Sequence, residues 1–168
     1  SITKNETFYG YGEDLIAVAD GVVVDTKDGI PNNDIASGKK AVRITIDTIG
    51  GNYVVLDIGN GYHAFYGHLI PGSLKVKIGD KVKTGQLLGK LGNSGNSDAP
   101  HLHFHLTEGN SPLGANGVPY LIKSFRVQGT VGNLDEILEG KSWIPVSKVV
   151  NRNRLFEIPS ENSVIDFP

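Results

Sequence analysis

The stretch that most constrains the fold covers residues 100–106 and reads Pro-His-Leu-His-Phe-His-Leu. In an extended strand successive side chains point to opposite faces, so His101, His103 and His105 share one face and the apolar side chains share the other. The apolar face can anchor to a core, while imidazoles are well suited to binding zinc and moving protons near neutral pH. The chain has five histidines. Three at alternate positions favour a functional site over a strand whose outer face is polar by chance.

Turn signals divide the rest of the chain into short strands. Glycine, at 22 of 168 residues, is well above its usual share and is typical of a turn-rich β protein. Residues 53–58 and 62–69 flank Asn60-Gly61, the dipeptide favoured where both central turn residues have positive φ. Residues 41–47 alternate between apolar and polar and are predicted as a half-buried strand, whereas residues 28–40 are predicted as a surface loop. We therefore expect an all-β, mainly antiparallel fold with little helix.

The second strand of the predicted hairpin carries a further histidine of interest. If this strand is regular, His68 shares a face with Tyr62, Ala64 and Tyr66, and His63 points the other way. A bulge would change that parity. His68 is therefore a candidate companion for the histidine row, and His63 is expected at the surface beside the turn.

The pattern weakens towards the C-terminus. We predict a β core over residues 1–128 and a C-terminal extension over residues 129–168 that packs on this core, with a short helical segment at residues 134–138. The length fits one domain, or one domain with an appendage. The absence of methionine suggests a processed or excised piece of something longer.

Composition excludes several classes of function. A formal net charge of −2 gives no reason to expect a nucleic acid or an anionic membrane as partner. No apolar run is long enough for membrane insertion. The chain contains no cysteine, which removes disulfides, thiolate ligands and thiol nucleophiles from consideration.

The histidine pattern suits metal-assisted hydrolysis. A hydrolytic zinc site needs three protein ligands and an open position for water, and nearby imidazoles can transfer protons or stabilise the oxyanion. If His101 and His68 move protons, His103 is one ligand and two more must be found.

An ordered set of motifs resembles the lysostaphin-like (LytM-type) zinc metalloendopeptidases of bacterial cell walls. The resemblance extends over residues 12–106. It rests on residues 17–23, on residues 55–62 with Tyr66-Gly67-His68-Leu69, on residues 76–86, on Gly92-Asn93-Ser94-Gly95 and on Pro100-His101-Leu102-His103-Phe104.

This resemblance implies an antiparallel sheet of the barrel-sandwich type, whose open groove holds zinc and cleaves peptide bonds of peptidoglycan or a related peptide. It implies that His103 ligates zinc and that His101 and His68 form the catalytic pair. His105 stands where the family often has an acidic residue, and it is either a residue that orients a ligand or a partly exposed bystander. The expected location is extracellular or in the cell envelope (periplasm or cell wall).

The chain departs from the family pattern upstream of these motifs. The family's other two ligands come from a His-x-x-x-Asp motif, but no histidine precedes His63, Ile2 cannot ligate, and Glu6 is the nearest carboxylate at about the right distance. Either the motif lies before Ser1, or the site has degenerated. We expect that the motif lies before Ser1, because a module that only binds would not need the proton-transferring histidines of the other half of the site.

Two alternatives to the zinc endopeptidase remain. One is a catalytically incomplete envelope module that binds peptidoglycan or activates a partner hydrolase. The other is a sugar-phosphotransferase carrier or a biotinyl/lipoyl-like module, since residues 76–91 resemble the hairpins of those proteins too. The sequence leaves open which peptide bond is cleaved, the oligomeric state and the role of the chain after Gly129.

Overall fold

The computed structural model describes residues 3–111, 113–133, 136, 142–147 and 152–167. In these ranges the regular structure is almost entirely β-strand, with a short 3₁₀ turn at Asn5–Thr7. The strands are β1 (Asp14–Ile16), β2 (Gly21–Lys27), β3 (Asn52–Gly59), β4 (Tyr62–Leu69), β5 (Lys81–Val82), β6 (Leu87–Lys90), β7 (His103–Glu108), β8 (Gly117–Val118), β9 (Ile122–Thr130), β10 (Ile144–Pro145), β11 (Asn153–Glu157) and β12 (Ser163–Asp166).

The predicted all-β, antiparallel fold class is confirmed by this set of elements and their pairing. The helical segment predicted at residues 134–138 lies almost wholly outside the described residues. Within the described part of the chain, no helix combines the length and the apolar character that a bilayer crossing requires.

The chain forms two compact units, one from residue 3 to residue 118 and one from residue 119 onwards. The predicted boundary after residue 128 falls inside β9, which runs without a break. Strand β9 belongs to the second unit because it pairs antiparallel with β10, β11 and β12. The packing of the C-terminal extension on the core stays a prediction.

A six-stranded antiparallel sheet, in the order β5-β2-β3-β4-β7-β8, dominates the first unit. One face of its central hairpin is apolar and buried: Val54 and Leu56 of β3 and Ala64 and Tyr66 of β4 are at most 1% exposed. These side chains join one hydrophobic cluster with residues of the separate β1–β6 pair, among them Leu88. Because side chains alternate along a strand, the opposite face of the hairpin is left for other contacts.

The predicted hairpin is confirmed at its turn, where Asn60 has φ 56° and Gly61 has φ 80°. The far end of the hairpin is irregular. Asn52 pairs with Leu69 and Val54 pairs with Tyr66, so two residues of β4 face one residue of β3. The two residues are Gly67 and His68, and His68 has φ 67°. This bulge reverses the parity of the strand end, so that His68 leaves the face on which Tyr66 is buried.

The predicted strand at residues 41–47 is wrong, because this segment forms bends and turns. The Thr48 hydroxyl accepts a hydrogen bond from the Thr45 amide at 2.9 Å and donates to the Arg43 carbonyl at 2.8 Å. Such local side-chain bonds compete with pairing between strands, and here they prevail over the alternating pattern. The surface loop predicted at residues 28–40 is confirmed, with isolated bridges in place of a strand.

Two glycines pack back to back where the loop before β3 meets the loop before β7. Gly51 has φ 64° and Gly95 has φ 73°, and a Cβ added to Gly95 would lie 2.3 Å from the Gly51 nitrogen. A side chain therefore meets both an unfavourable backbone conformation and a backbone atom that cannot rotate away.

We expect Gly95→Ala to lower the free energy of unfolding by about 3 kcal/mol or more, because overpacking adds to the cost of a positive φ. Gly85→Ala is the matched control, since Gly85 has φ 81° but nothing lies within 4 Å of its added Cβ. The control should lose only about 1–2 kcal/mol. Denaturant unfolding measures both variants, and equal losses would contradict the packing argument.

Candidate active site

Three imidazoles converge at the end of β4 and the start of β7. His68, His101 and His103 each offer one ring nitrogen, and these nitrogens all lie within 4.8 Å of one another. The ring centroid of His68 is 4.8 Å from that of His101 and 5.6 Å from that of His103. The register explains the meeting, because Gly67 lies directly opposite His103 and the bulge then turns His68 towards it.

His68 is the buried member of the cluster, with 3% of its surface exposed. Its Nδ1 lies 2.7 Å from the Ser94 carbonyl oxygen. A carbonyl can only accept, so Nδ1 carries the proton and Nε2 keeps its lone pair. The pKa of His68 is lowered to about 4, mainly by burial, which outweighs the hydrogen bond to Ser94, with a smaller contribution from the charges of His101 and His103. The ring is therefore neutral at pH 7.

His101 is exposed, and hydrogen bonds with the loop that precedes it hold its ring in place. Its Nδ1 lies 2.8 Å from the Ala99 carbonyl oxygen and 3.2 Å from the hydroxyl of Ser97. The Ser97 hydroxyl also donates to the Ala99 carbonyl. By the same reasoning as for His68, His101 carries its proton on Nδ1 and presents Nε2 as an acceptor.

A buried polar network fixes the Ser94 carbonyl behind His68. The backbone N–H of Asn52 donates to the Ser94 hydroxyl, which in turn donates to the Leu69 carbonyl. The Asn52 carboxamide donates to the carbonyls of Ile30 and Leu69 at 2.8 and 2.9 Å and accepts from the Ile30 amide at 2.8 Å. Sequence reasoning missed this role of Asn52 because its partners are distant along the chain.

Hydrogen bonds from the segment at residues 28–40 hold the loop that leads to His101. The carboxamide of buried Asn33 donates to the carbonyls of Gly95 and Ser97, both at 2.8 Å. The Lys40 ammonium donates to the Ser97 carbonyl and pairs with Asp98, which lowers the pKa of the Asp98 carboxyl. The sequence marked this segment only as a surface loop.

His103 and His105 share a face of β7, as the alternation predicts, but β7 begins at His103, so His101, which was predicted on the same strand, lies before it. His103 Nε2 lies 3.2 Å from His105 Nδ1, and the His105 ring stacks on Phe65 at 5.0 Å between centroids. Partial burial and then the charges of His105 and His101 lower the pKa of His103. A pocket of about 270 Å³ opens beside these rings, and its lining includes Asp47 and Tyr53.

The remaining candidates lie outside the cluster. Among the described residues, the group able to hold a metal contains neither His63, His105 nor Glu6. His63 lies opposite Thr107 and is half-buried, with Nδ1 enclosed by protein.

The donor set fits zinc. Zinc takes imidazole nitrogens at about 2.0–2.1 Å. The clustered nitrogens lie within 4.8 Å of one another, so a metal bound by one of these rings lies close to the other two, which can then transfer protons. His101 and His103 are exposed, so a metal here would keep a position open to water.

Comparison with known proteins places the chain among peptidases. The sequence profile of Peptidase family M23 matches residues 6–115. The chain is 38% identical over 101 residues to lysostaphin of Staphylococcus simulans, covering 57% of this chain and 20% of that protein. It is 45% identical over 65 residues to the peptidoglycan DD-endopeptidase ShyA of Vibrio cholerae, covering 39% of this chain and 15% of that protein. The chain thus spans about a fifth or less of the length of these curated relatives.

The solved structures that resemble this chain include the catalytic domain of lysostaphin from Staphylococcus simulans. The two share 28% sequence identity with a TM-score of 0.47, over 66% of this chain and 70% of that one. The profile match decides against the carrier alternative, since it covers well over half of the chain and all three clustered histidines. The chain belongs to peptidase family M23.

Proposed function

We propose that the protein is a zinc-dependent endopeptidase that hydrolyses peptide bonds in bacterial cell-wall peptidoglycan, and that it acts outside the cell or in the cell envelope. The observation that carries the proposal is the convergence of His68, His101 and His103 at one solvent-accessible spot. The names of the relatives support the substrate class, since they include lysostaphin, a glycyl-glycine endopeptidase and a peptidoglycan DD-endopeptidase.

In this proposal His103 is a metal ligand, and the two further ligands are expected from the His-x-x-x-Asp motif described above. Bound zinc would polarise the scissile carbonyl and lower the pKa of water. The exposed position of His103 leaves room for a peptide beside the metal.

His68 and His101 handle protons in this proposal. Both present Nε2 as an acceptor because their Nδ1 atoms donate to the backbone carbonyls of Ser94 and Ala99. Each can take a proton from water, donate it to the leaving amine, or stabilise the oxyanion once protonated. The fixed orientation of the two rings lowers the entropic cost of reaching that arrangement.

The test is hydrolysis of purified peptidoglycan by the full-length protein. We expect new amino termini, detected by mass spectrometry of the released peptides, and zinc bound in stoichiometric amount. A chelator should abolish release, and added zinc should restore it. Binding to peptidoglycan with no new amino termini and no zinc would instead support the catalytically incomplete envelope module. Equal hydrolysis by metal-free protein would contradict the metal-dependent mechanism.

A further inference from the structure

The site contains a fourth imidazole that lies outside the metal-capable cluster. His105 is two residues after His103 on the same face of β7, and its Nδ1 lies 3.2 Å from His103 Nε2. His103 is exposed and His105 is half-buried. A chance contact between two such rings contributes little to stability, so the contacts that hold His105 in place decide whether this hydrogen bond matters.

Phe65 holds both rings. It lies directly opposite His105 in the pairing of β4 with β7. The rings of Phe65 and His105 are stacked, with centroids 5.0 Å apart and planes 23° apart, while the edge of His103 meets Phe65 at 5.9 Å and 86°. Aromatic rings in such geometries stabilise each other beyond the burial of their surface. His105 is therefore fixed on the face towards which His103 Nε2 points.

The contact decides which nitrogen of His103 is available. A neutral imidazole has one protonated nitrogen and one lone pair, and a metal takes the lone pair. Because Nε2 of His103 is engaged by His105, the atom left for the metal is Nδ1. Histidines that bind metals ordinarily donate their other N–H to an acceptor that fixes the ring.

We propose that His105 is a positioning residue, accepting a hydrogen bond from the Nε2–H of His103 and so directing the Nδ1 lone pair of His103 to the metal. This inference rests on the proposed function, in which His103 is a ligand. It requires that His105 keep Nδ1 unprotonated and carry its own proton on Nε2.

Two substitutions separate the acceptor from the ring stack. His105→Phe keeps an aromatic ring against Phe65 but removes the acceptor. His105→Asn loses the stack but retains an acceptor, because its Oδ1 is attached to Cγ as Nδ1 is in histidine. We expect His105→Phe to weaken zinc binding by the full-length protein about 10- to 100-fold and His105→Asn to remain near the wild-type affinity. Competition with a chromophoric chelator measures both, and thermal unfolding of the metal-free proteins checks the fold.

A spectroscopic readout addresses the nitrogen directly. In protein loaded with ¹¹³Cd and labelled with ¹⁵N, we expect the metal coupling on Nδ1 of His103 and a proton on its Nε2. Metal coupling to Nε2 of His103, or unchanged zinc affinity in His105→Phe, would overturn the role of His105 and leave the proposed function intact. Unchanged zinc affinity in His103→Ala would overturn the proposed function and this inference together.

Discussion

In the full-length protein, His103→Ala is expected to lose both bound zinc and peptidoglycan hydrolysis, whereas His101→Ala is expected to keep zinc and lose hydrolysis. Removing a ligand removes the metal and all the chemistry it supplies. Removing a proton-transfer group leaves the metal in place and costs about 10²- to 10⁴-fold in kcat. Zinc content by elemental analysis and kcat on purified peptidoglycan separate the two outcomes.

The exposure of the two rings makes this comparison clean. His101 and His103 are both exposed and both belong to the cluster. Replacing either one by alanine therefore leaves no large cavity in the core. His68→Ala should also keep zinc and lose hydrolysis, but its buried ring makes a folding check necessary. His63→Gln is the control, because His63 is a histidine of the same strand β4 outside the cluster, and it should retain activity. Loss of zinc in His101→Ala would reassign His101 as a ligand, and undiminished hydrolysis in His103→Ala would contradict the site.

The second large effect is expected at Asn52, where Asn52→Asp should lower the free energy of unfolding by about 3–5 kcal/mol. The Asn52 side chain is fully buried, and its amide group donates to two carbonyls. An aspartate of the same shape would place an oxygen against those carbonyls and bury an unpaired charge. Urea unfolding followed by circular dichroism measures the loss.

Asn110→Asp is the matched control, because Asn110 is exposed and the same substitution should change stability by less than about 0.5 kcal/mol. The Asn52 network also holds Ser94, whose carbonyl orients His68, so any Asn52→Asp protein that remains folded should have reduced kcat. A loss in Asn52→Asp no greater than in Asn110→Asp would mean that the buried bonds contribute little.

Local patterns in the sequence were sufficient for the central hairpin and for the shared face of two of the histidines. The Asn60-Gly61 turn follows from the backbone angles that this dipeptide tolerates. The shared face of His103 and His105 follows from the alternation of side chains along a strand. Both are properties of neighbouring residues, so they can be predicted without knowledge of distant contacts.

The approach of His68 to the other histidines was decided only in the tertiary structure. Regular alternation would have left His68 on the face of Tyr66, and the bulge opposite Tyr53 moves it to the other face. The tertiary structure also decided the conformation of residues 41–47, where hydrogen bonds of Thr48 replace the predicted strand. It likewise decided the hydrogen bond by which Asn33 holds the loop before His101. An extra residue in one strand, or a hydrogen bond between distant loops, depends on which partner lies opposite in the folded chain. Periodicity along the chain carries no record of that partner. The sequence therefore identified these histidines as candidates, and only the fold determined how they meet.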